Sequence, residues 1–347
     1  MKHREPQLPK NVDALLVTRP ENVRYLSGFT SPEDAILLFV PGRTRLFTDA
    51  RYETQAPAES AVPVEIVNTR SGYGFLSEHL AGLRAGYEAD HLPCARLRRI
   101  EKDTGVTFAP TSGVVERART VKTPAELEHV TAAARLADEG FEHLLGLIEP
   151  GVREVDLALE LEFWLRRHGA EKAAFDFIVA SGPRGALPHG VASEKRIQAG
   201  ELVTIDFGAV VGGYHSDMTR TVAVGAVSGE MRRIFQTVLD ALEAALAAAA
   251  PGVLASELDA VARRVIEKAG YGRYFVHSLG HGVGLEIHEA PFLNSRSEER
   301  LEPGMVITLE PGIYLPDRGG VRIEELALVT DSGLELLSHS PRGWLEV

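Results

Sequence analysis

The chain has 347 residues, 44% of them hydrophobic, a net charge of −12 and a single cysteine. The length suits about two domains, each able to bury its own core, and the acidic balance argues against nucleic acid or an anionic membrane as partner. One cysteine excludes an internal disulfide framework and suits a reducing, cytoplasmic compartment; the polar opening MKHREPQLPK has no apolar centre for a secretory signal, and no run of about 18 apolar residues is present to span a bilayer.

Between residues 11 and 120, short apolar runs at Ala14–Thr18, Ala35–Val40 and Arg45–Thr48 are separated by Pro/Gly turns and helical stretches. This is an α/β pattern without obvious chemistry. Cys94 reads as a small core residue rather than a reactive thiol, since no His-paired motif surrounds it. The basic stretch Arg117–Lys122 reads as a solvated linker. Thr123, Pro124 and Glu126 then combine an N-cap, a first-turn proline and a capping-box acid, so a helix starts there and runs to about residue 148. A domain boundary just before it gives an N-terminal domain over 1–122 and a second domain over 123–347.

The second domain repeats itself. PGV at 150–152 and at 251–253 each open an amphipathic stretch closed by a glycine, Gly169 or Gly270, and both features are offset by 101 residues. Each unit reads as a Pro-Gly turn, a helix with a glycine stop, then strands. AGELVTIDFG at 199–208 matches PGMVITLEPG at 303–312: Gly200 and Gly304 each precede a carboxylate by six residues, Asp206 and Glu310. Strict alternation puts Val203, Ile205 and Phe207 on one face of the first strand and Thr204 and Asp206 on the other. Met305, Ile307 and Leu309 mirror the apolar set, opposite Thr308 and Glu310. Gly212-Gly213 marks a hairpin turn that sets Asp217 across from Gly208, diagonal to Asp206 on the same face and about 7–8 Å from it. The Ala-rich stretch at 241–250 is a helix former ended by Pro251-Gly252. A second hairpin turns near Asp317–Gly320; in its return strand, Arg322, Glu324 and Leu326 share a face and Glu325 points the other way. Glu324 is therefore chosen over Glu325 as the partner of Glu310. Four carboxylates in one small region repel unless positive charge sits among them, which points to metal.

Histidines gather at the same place. HSLGHGVGLEIHEAP holds His277, His281 and His288, while Gly280, Gly282 and Gly284 argue against a zinc-binding helix and for close backbone approach. His189, in LPHG, is a further isolated candidate.

Asp206, Asp217, His281, Glu310 and Glu324, set in TIDFG, SDMTRT, GHGVGLEIHE, TLEPGIY and GGVRIEE, resemble the pita-bread metallopeptidases. Within that family they resemble the proline-specific branch, the Xaa-Pro aminopeptidases and Xaa-Pro dipeptidases. The likeness is close over about 123–347, and PENVRYLSGF at 20–29 resembles a creatinase-type N-terminal domain more loosely. The resemblance implies an α+β protein: a pita-bread catalytic domain of duplicated αβ halves around a curved antiparallel sheet, preceded by a smaller creatinase-like α/β domain. It implies two divalent ions, Mn²⁺ first and Co²⁺ or Zn²⁺ as alternatives, in keeping with an oxygen-rich donor set. Asp217 would chelate one ion, His281 and Glu310 the other, with Asp206 and Glu324 bridging. The resemblance further implies that an activated water attacks the carbonyl before proline while Glu310 shuttles its proton. His288 and His189 would contact the oxyanion and the proline-side pocket, His277 would shape that pocket, and Arg322 would hold the acids in place. The expected partners are proline-containing peptides and a second copy of the chain.

Many dipeptidases of the family carry an arginine just after the HExP segment, whose planar fork holds the substrate's free carboxylate. Here HEAP is followed by Phe292. This favours substrates that continue beyond proline, so an Xaa-Pro aminopeptidase is the expected activity and an Xaa-Pro dipeptidase the alternative, with Arg296 or Arg318 as substitutes from nearby loops. A non-catalytic peptide-binding module on the same fold stands third.

Overall fold

Residues 3–68 and 71–347 are described by the structure, a computed structural model; Met1 and Lys2 of the polar opening lie outside the described residues. The chain divides between Arg119 and Thr120 into two compact units.

The first unit is built on a mixed sheet. Its strands are β1 (Ala14–Val17), β2 (Ala35–Phe39), β3 (Arg45–Thr48), β4 (Val64–Ile66), β5 (Ala85–Glu88) and β6 (Ala109–Thr111), in the order β4-β3-β2-β1-β5-β6. The β1–β2 and β2–β3 pairs are antiparallel and the rest parallel. Strands β1 and β2 are buried throughout, which accounts for their unbroken apolar runs. Helices α1 (Pro20–Ser27), α2 (Gln55–Glu59), α3 (Ser77–Leu80), α4 (Cys94–Thr104) and α5 (Val114–Arg119) complete it. Glu88, at the end of β5, caps α1 by accepting from the Thr18 and Arg19 amides at 2.6 and 2.8 Å.

Two expectations fail in this region. Cys94 is exposed, because it opens an amphipathic helix in which only Ile100 is fully buried. Residues 117–122 do not form a solvated linker. Arg119 ends α5 buried and donates to Asn22 Oδ1 at 2.7 Å, while Lys122 is buried against Glu289 at 2.8 Å.

The second unit opens with α6 (Pro124–Leu145), capped reciprocally by Thr123 and Glu126 as the capping box requires. It ends at Leu145, a turn before Pro150. Helices α7 (Glu154–Arg167), α8 (Gly229–Ala248) and α9 (Ala255–Lys268) follow. Helices α7 and α9 each have 14 residues, and Gly169 and Gly270 follow them with φ of 115° and 87°, left-handed stops that suit glycine.

The strands of this unit are β7 (Lys172–Ala173), β8 (Ile178–Ser181), β9 (Leu202–Phe207), β10 (Ala209–Val211), β11 (Tyr214–His215), β12 (Met218–Ala223), β13 (Gly280–Gly282), β14 (Glu289–Leu293), β15 (Val306–Leu309), β16 (Gly312–Leu315), β17 (Gly319–Arg322), β18 (Glu325–Thr330) and β19 (Gly333–Leu336). All their pairings are antiparallel, in the orders β12-β9-β8, β14-β13-β15-β18-β19, β11-β10-β7 and β16-β17. The register pairs Phe207 with Met218 and Leu309 with Glu325, so Asp217 follows diagonally from Asp206 and Glu324 stands across from Glu310.

Alternation decides what each face meets. Ile205, Phe207, Met218 and Val222 pack with Phe141, Leu161 and Leu165 of α6 and α7. Ile307, Leu309 and Val329 pack with Phe235, Leu242 and Leu258 of α8 and α9. The polar faces of the two halves are thereby turned toward each other. Thr219 Oγ1 donates to Glu324 Oε2 and Thr221 Oγ1 to the Arg322 carbonyl, both at 2.8 Å. Glu325 lies on the other face, held by Arg220 and Ser338. Among the described residues, no helix is long and apolar enough to cross a membrane.

Candidate metal centre

Where the polar faces meet, a cavity of about 460 Å³ opens, and Asp206, Asp217, His281, Glu310 and Glu324 all line it. So do His189, His277, His288, Arg322 and Phe292, so the structure brings every proposed site residue to one place. Arg296 and Arg318 do not line it, and Arg318 pairs with Glu230 at 2.7 Å, which removes both as carboxylate receptors there.

Glycine lets the backbone close on the site. A Cβ at Gly280 would stand 2.0 Å from the Thr308 carbonyl, and one at Gly282 would stand 2.2 Å from that of Ala290. Only glycine allows β13 to lie this close to its neighbours and aim His281 inward.

Asp217, His281 and Glu324 each offer a donor atom, and the three lie within 4.8 Å of one another. His281 Nε2 is 3.6 Å from Asp217 Oδ2 and 3.3 Å from Glu310 Oε1. Its Nδ1 sits 3.0 Å from the Gly282 carbonyl, a contact that needs a proton on Nδ1 and turns Nε2 toward the acids. Arg322 Nη2 donates to Asp206 Oδ2 at 2.5 Å, leaving Asp206 Oδ1 buried without a hydrogen-bond partner. Glu324 Oε1 is buried and unpartnered in the same way. Orphaned carboxylate oxygens are costly unless a cation takes their lone pairs. Four carboxylates and one imidazole suit hard divalent ions, so the residues fit the metal that the donor pattern implies.

The acids disturb one another's protonation. Burial, then the charges of Glu324, Asp206 and Glu310, pushes Asp217 well above the usual carboxylate range. Burial followed by Glu310 and Asp206 does the same to Glu324. Asp206 is raised by burial against the opposing pull of Arg322. On Glu310, burial acts upward, but the hydrogen bond and charge of His281, then His277 and Arg322, outweigh it and bring the group to about 2. The same contact raises His281 although burial opposes it. Added positive charge relieves such a cluster.

Behind the acids runs a chain of hydrogen bonds. Arg322 Nη1 donates to the Tyr314 hydroxyl at 2.7 Å, and that hydroxyl lies 2.9 Å from His277 Nε2. His277 Nδ1 sits 2.8 Å from the Ser278 carbonyl, and burial lowers the His277 pKa. Tyr314, buried and pushed up to about 12, escaped the sequence reading, as did Thr219. Alternation held the signal for both: Tyr314 shares a face with Gly312 and Arg322, and Thr219 stands opposite Asp206. The His288 ring meets that of His281 edge-on at 4.3 Å. Phe292 lies across from His281 on β14, 45% exposed at the cavity wall.

Paired αβ halves that present acids and an imidazole to one cleft define a metallohydrolase of the pita-bread class. Residues 128–331 match the model described as Metallopeptidase family M24, and residues 9–121 match the Creatinase/Prolidase N-terminal domain. The chain belongs to this dinuclear, metal-dependent peptidase family, in its proline-specific branch, with a creatinase-type domain ahead of the pita-bread domain. It is 41% identical over 350 residues to the Xaa-Pro dipeptidase of Pyrococcus furiosus, covering 99% of each chain. Among solved structures it is similar to an Xaa-Pro dipeptidase from Bacillus anthracis, with a TM-score of 0.93 and 42% identity over 97% of this chain and 95% of that one. It is also similar to an X-Pro aminopeptidase from Thermotoga maritima MSB8, with a TM-score of 0.90 and 37% identity over 97% of this chain and 98% of that one. The two dipeptidases fit the alternative reading better than the aminopeptidase expectation.

Proposed function

We propose that the chain is an Xaa-Pro dipeptidase that cleaves the imide bond of dipeptides ending in proline. The observation that carries this reading is the convergence of Asp206, Asp217, His281, Glu310 and Glu324 on one small cavity. The names of the similar dipeptidases support the choice of substrate.

The five residues would hold two divalent cations, Mn²⁺ first and Co²⁺ or Zn²⁺ as alternatives. Bound there, such ions lower the pKa of a water and polarise a carbonyl, supplying nucleophile and electrophile near neutral pH. Glu310, whose carboxylate lines the cavity, accepts the water's proton and returns it to the departing proline nitrogen. His288 and His189 line the cavity where a carbonyl oxygen gathers charge and donate to it. Arg322, braced by Tyr314 and His277, fixes the orientation of Asp206. An imide before proline has no N–H, so recognition falls on the ring, and Pro188, Val191 and Phe292 supply apolar wall for it. The net charge of −12 agrees with a role that involves neither nucleic acid nor membrane, and family resemblance supports a cytoplasmic homodimer.

A second reading, Xaa-Pro aminopeptidase, rests on Phe292. Arg322 is the one arginine among the described lining residues, and Asp206 and Tyr314 already engage it. The test is hydrolysis of Xaa-Pro dipeptides against Xaa-Pro-Xaa tripeptides by the Mn²⁺-loaded protein. Preference for dipeptides supports the dipeptidase. Cleavage confined to tripeptides moves the assignment to the second reading, and cleavage of neither leaves a binding module.

A further inference from the structure

His189 reaches the cavity from residues 182–192, an irregular segment whose Leu187 and Val191 are about half exposed, at 51% and 49%. Apart from the short turn Gly182–Ala186 and one bridge of Val191 to Ile178 it has no regular structure, and Arg322 Nη1 donates to its Pro188 carbonyl at 3.2 Å. Its two ends are tied by Glu154. This residue opens α7 and is completely buried. A glutamate in a first helical turn ordinarily faces solvent or its own helix N-terminus; this one turns away from the helix. Its Oε1 accepts from the Ser181 amide and hydroxyl, both at 2.8 Å. Its Oε2 accepts from the Ser193 hydroxyl at 2.7 Å and amide at 3.2 Å, and also meets Arg184 Nη1. Arg184 Nη2 in turn donates to the Val191 carbonyl at 2.8 Å. One carboxylate thus ties both ends of the segment and, through Arg184, its middle.

The equivalent helix of the other half repeats the device. Asp259 of α9 is buried, accepts from the Leu279 amide at 3.1 Å and pairs with Arg263. Arg263 donates to the Phe275 and His277 carbonyls at 3.1 and 3.0 Å. Each duplicated helix therefore grips a segment bearing one of the pocket histidines, from a residue outside the cavity lining.

We infer that Glu154 is a positioning residue for His189, with Asp259 its counterpart for His277; this rests on the proposed peptidase reading and assigns both residues a part in it. A carboxylate suits the task because every group around it is a donor, and charge-assisted bonds are about twice as strong as neutral ones. Glu154→Gln keeps the shape but turns an NH₂ toward N–H and O–H donors, so one tie is lost.

The experiment compares Glu154→Gln, His189→Ala and the double variant, with amide exchange over 182–192 followed in parallel. Glu154→Gln is expected to lower kcat/KM roughly 10- to 100-fold, the range for a displaced contact group. Metal content should be unchanged, exchange over 182–192 should quicken, and no further loss should appear when His189 is already alanine. Losses that multiply in the double variant, or unaltered exchange over 182–192, would overturn the inference. Arg184→Met removes the middle tie from a less buried residue and should quicken the same amides if Glu154→Gln does not fold. Exchange is read without substrate, so a failure of the peptidase reading and a failure of this one are told apart.

Discussion

His281 lies between two acids, 3.6 Å from Asp217 and 3.3 Å from Glu310, with its other nitrogen on the Gly282 carbonyl. That placement turns its Nε2 into the acid cluster. His281→Ala and Asp217→Ala should therefore abolish turnover, beyond the roughly 10- to 100-fold loss typical of residues that merely orient a metal ligand. Circular dichroism should show the fold intact, and retained turnover in either variant would remove that residue from the metal centre. Phe292 offers a test of opposite sense. It faces the cavity from the strand position opposite His281. An arginine there would meet a substrate carboxylate with a hydrogen bond worth about 1.5–3 kcal/mol. Phe292→Arg should accordingly lower KM for Xaa-Pro dipeptides about 10-fold or more and leave tripeptides little changed. Equal effects on both substrates would show that position 292 does not read the carboxyl end.

The elements that position these side chains were open to sequence reading where local chemistry decides the outcome. Gly212-Gly213 centred the first hairpin, and with the turn fixed, period-two alternation assigned Asp206 and Asp217 to one face. Gly280, Gly282 and Gly284 announced close backbone approach, and each stands where a Cβ would strike a neighbour within 2.3 Å. Gly280→Ala should thus displace β13 against the Thr308 carbonyl and destabilise the protein by about 1–3 kcal/mol, as forced overpacking does. Gly343→Ala, where a Cβ meets nothing within 4 Å, should stay within about 0.5 kcal/mol of wild type. Urea midpoints compare the two, and equal shifts would mean that β13 yields to the added methyl. What escaped reading depended on partners distant in the chain. Lys122 belongs to a basic stretch by sequence, yet Glu289, 167 residues away, draws it into a buried ion pair. Arg119 finds Asn22 in the same way, 97 residues back. Glu154 carries no motif, and only the assembled fold shows what it touches.

At the scale of the molecule, the acid cluster sets how stability responds to pH and to metal. Asp206, Asp217 and Glu324 have raised folded-state pKa values, so the metal-free folded chain keeps protons that the unfolded chain releases above about pH 4. Stability tied to these groups declines as pH rises through their folded pKa values. His281, also raised, contributes stability below about pH 6.5 that is lost in the same direction. Glu310 acts oppositely, because its pKa of about 2 gives stability that is complete a little above its unfolded value and lost only in acid. Above about pH 6 the metal-free protein should therefore weaken with rising pH. A divalent cation reverses the sign, since it binds the deprotonated acids and releases their protons. At 100 to 1,000 times its dissociation constant it should add about 2.7–4.1 kcal/mol. The gap in Tm between Mn²⁺-loaded and chelator-treated protein should widen from about pH 6 to 8 as proton competition fades. Chelation should speed amide exchange in β9, β12, β15 and β18, whose residues flank the acids, and leave β1 to β6 of the first unit unaffected. A gap that stays constant or narrows with rising pH would show that protons and cations do not compete for Asp206, Asp217 and Glu324.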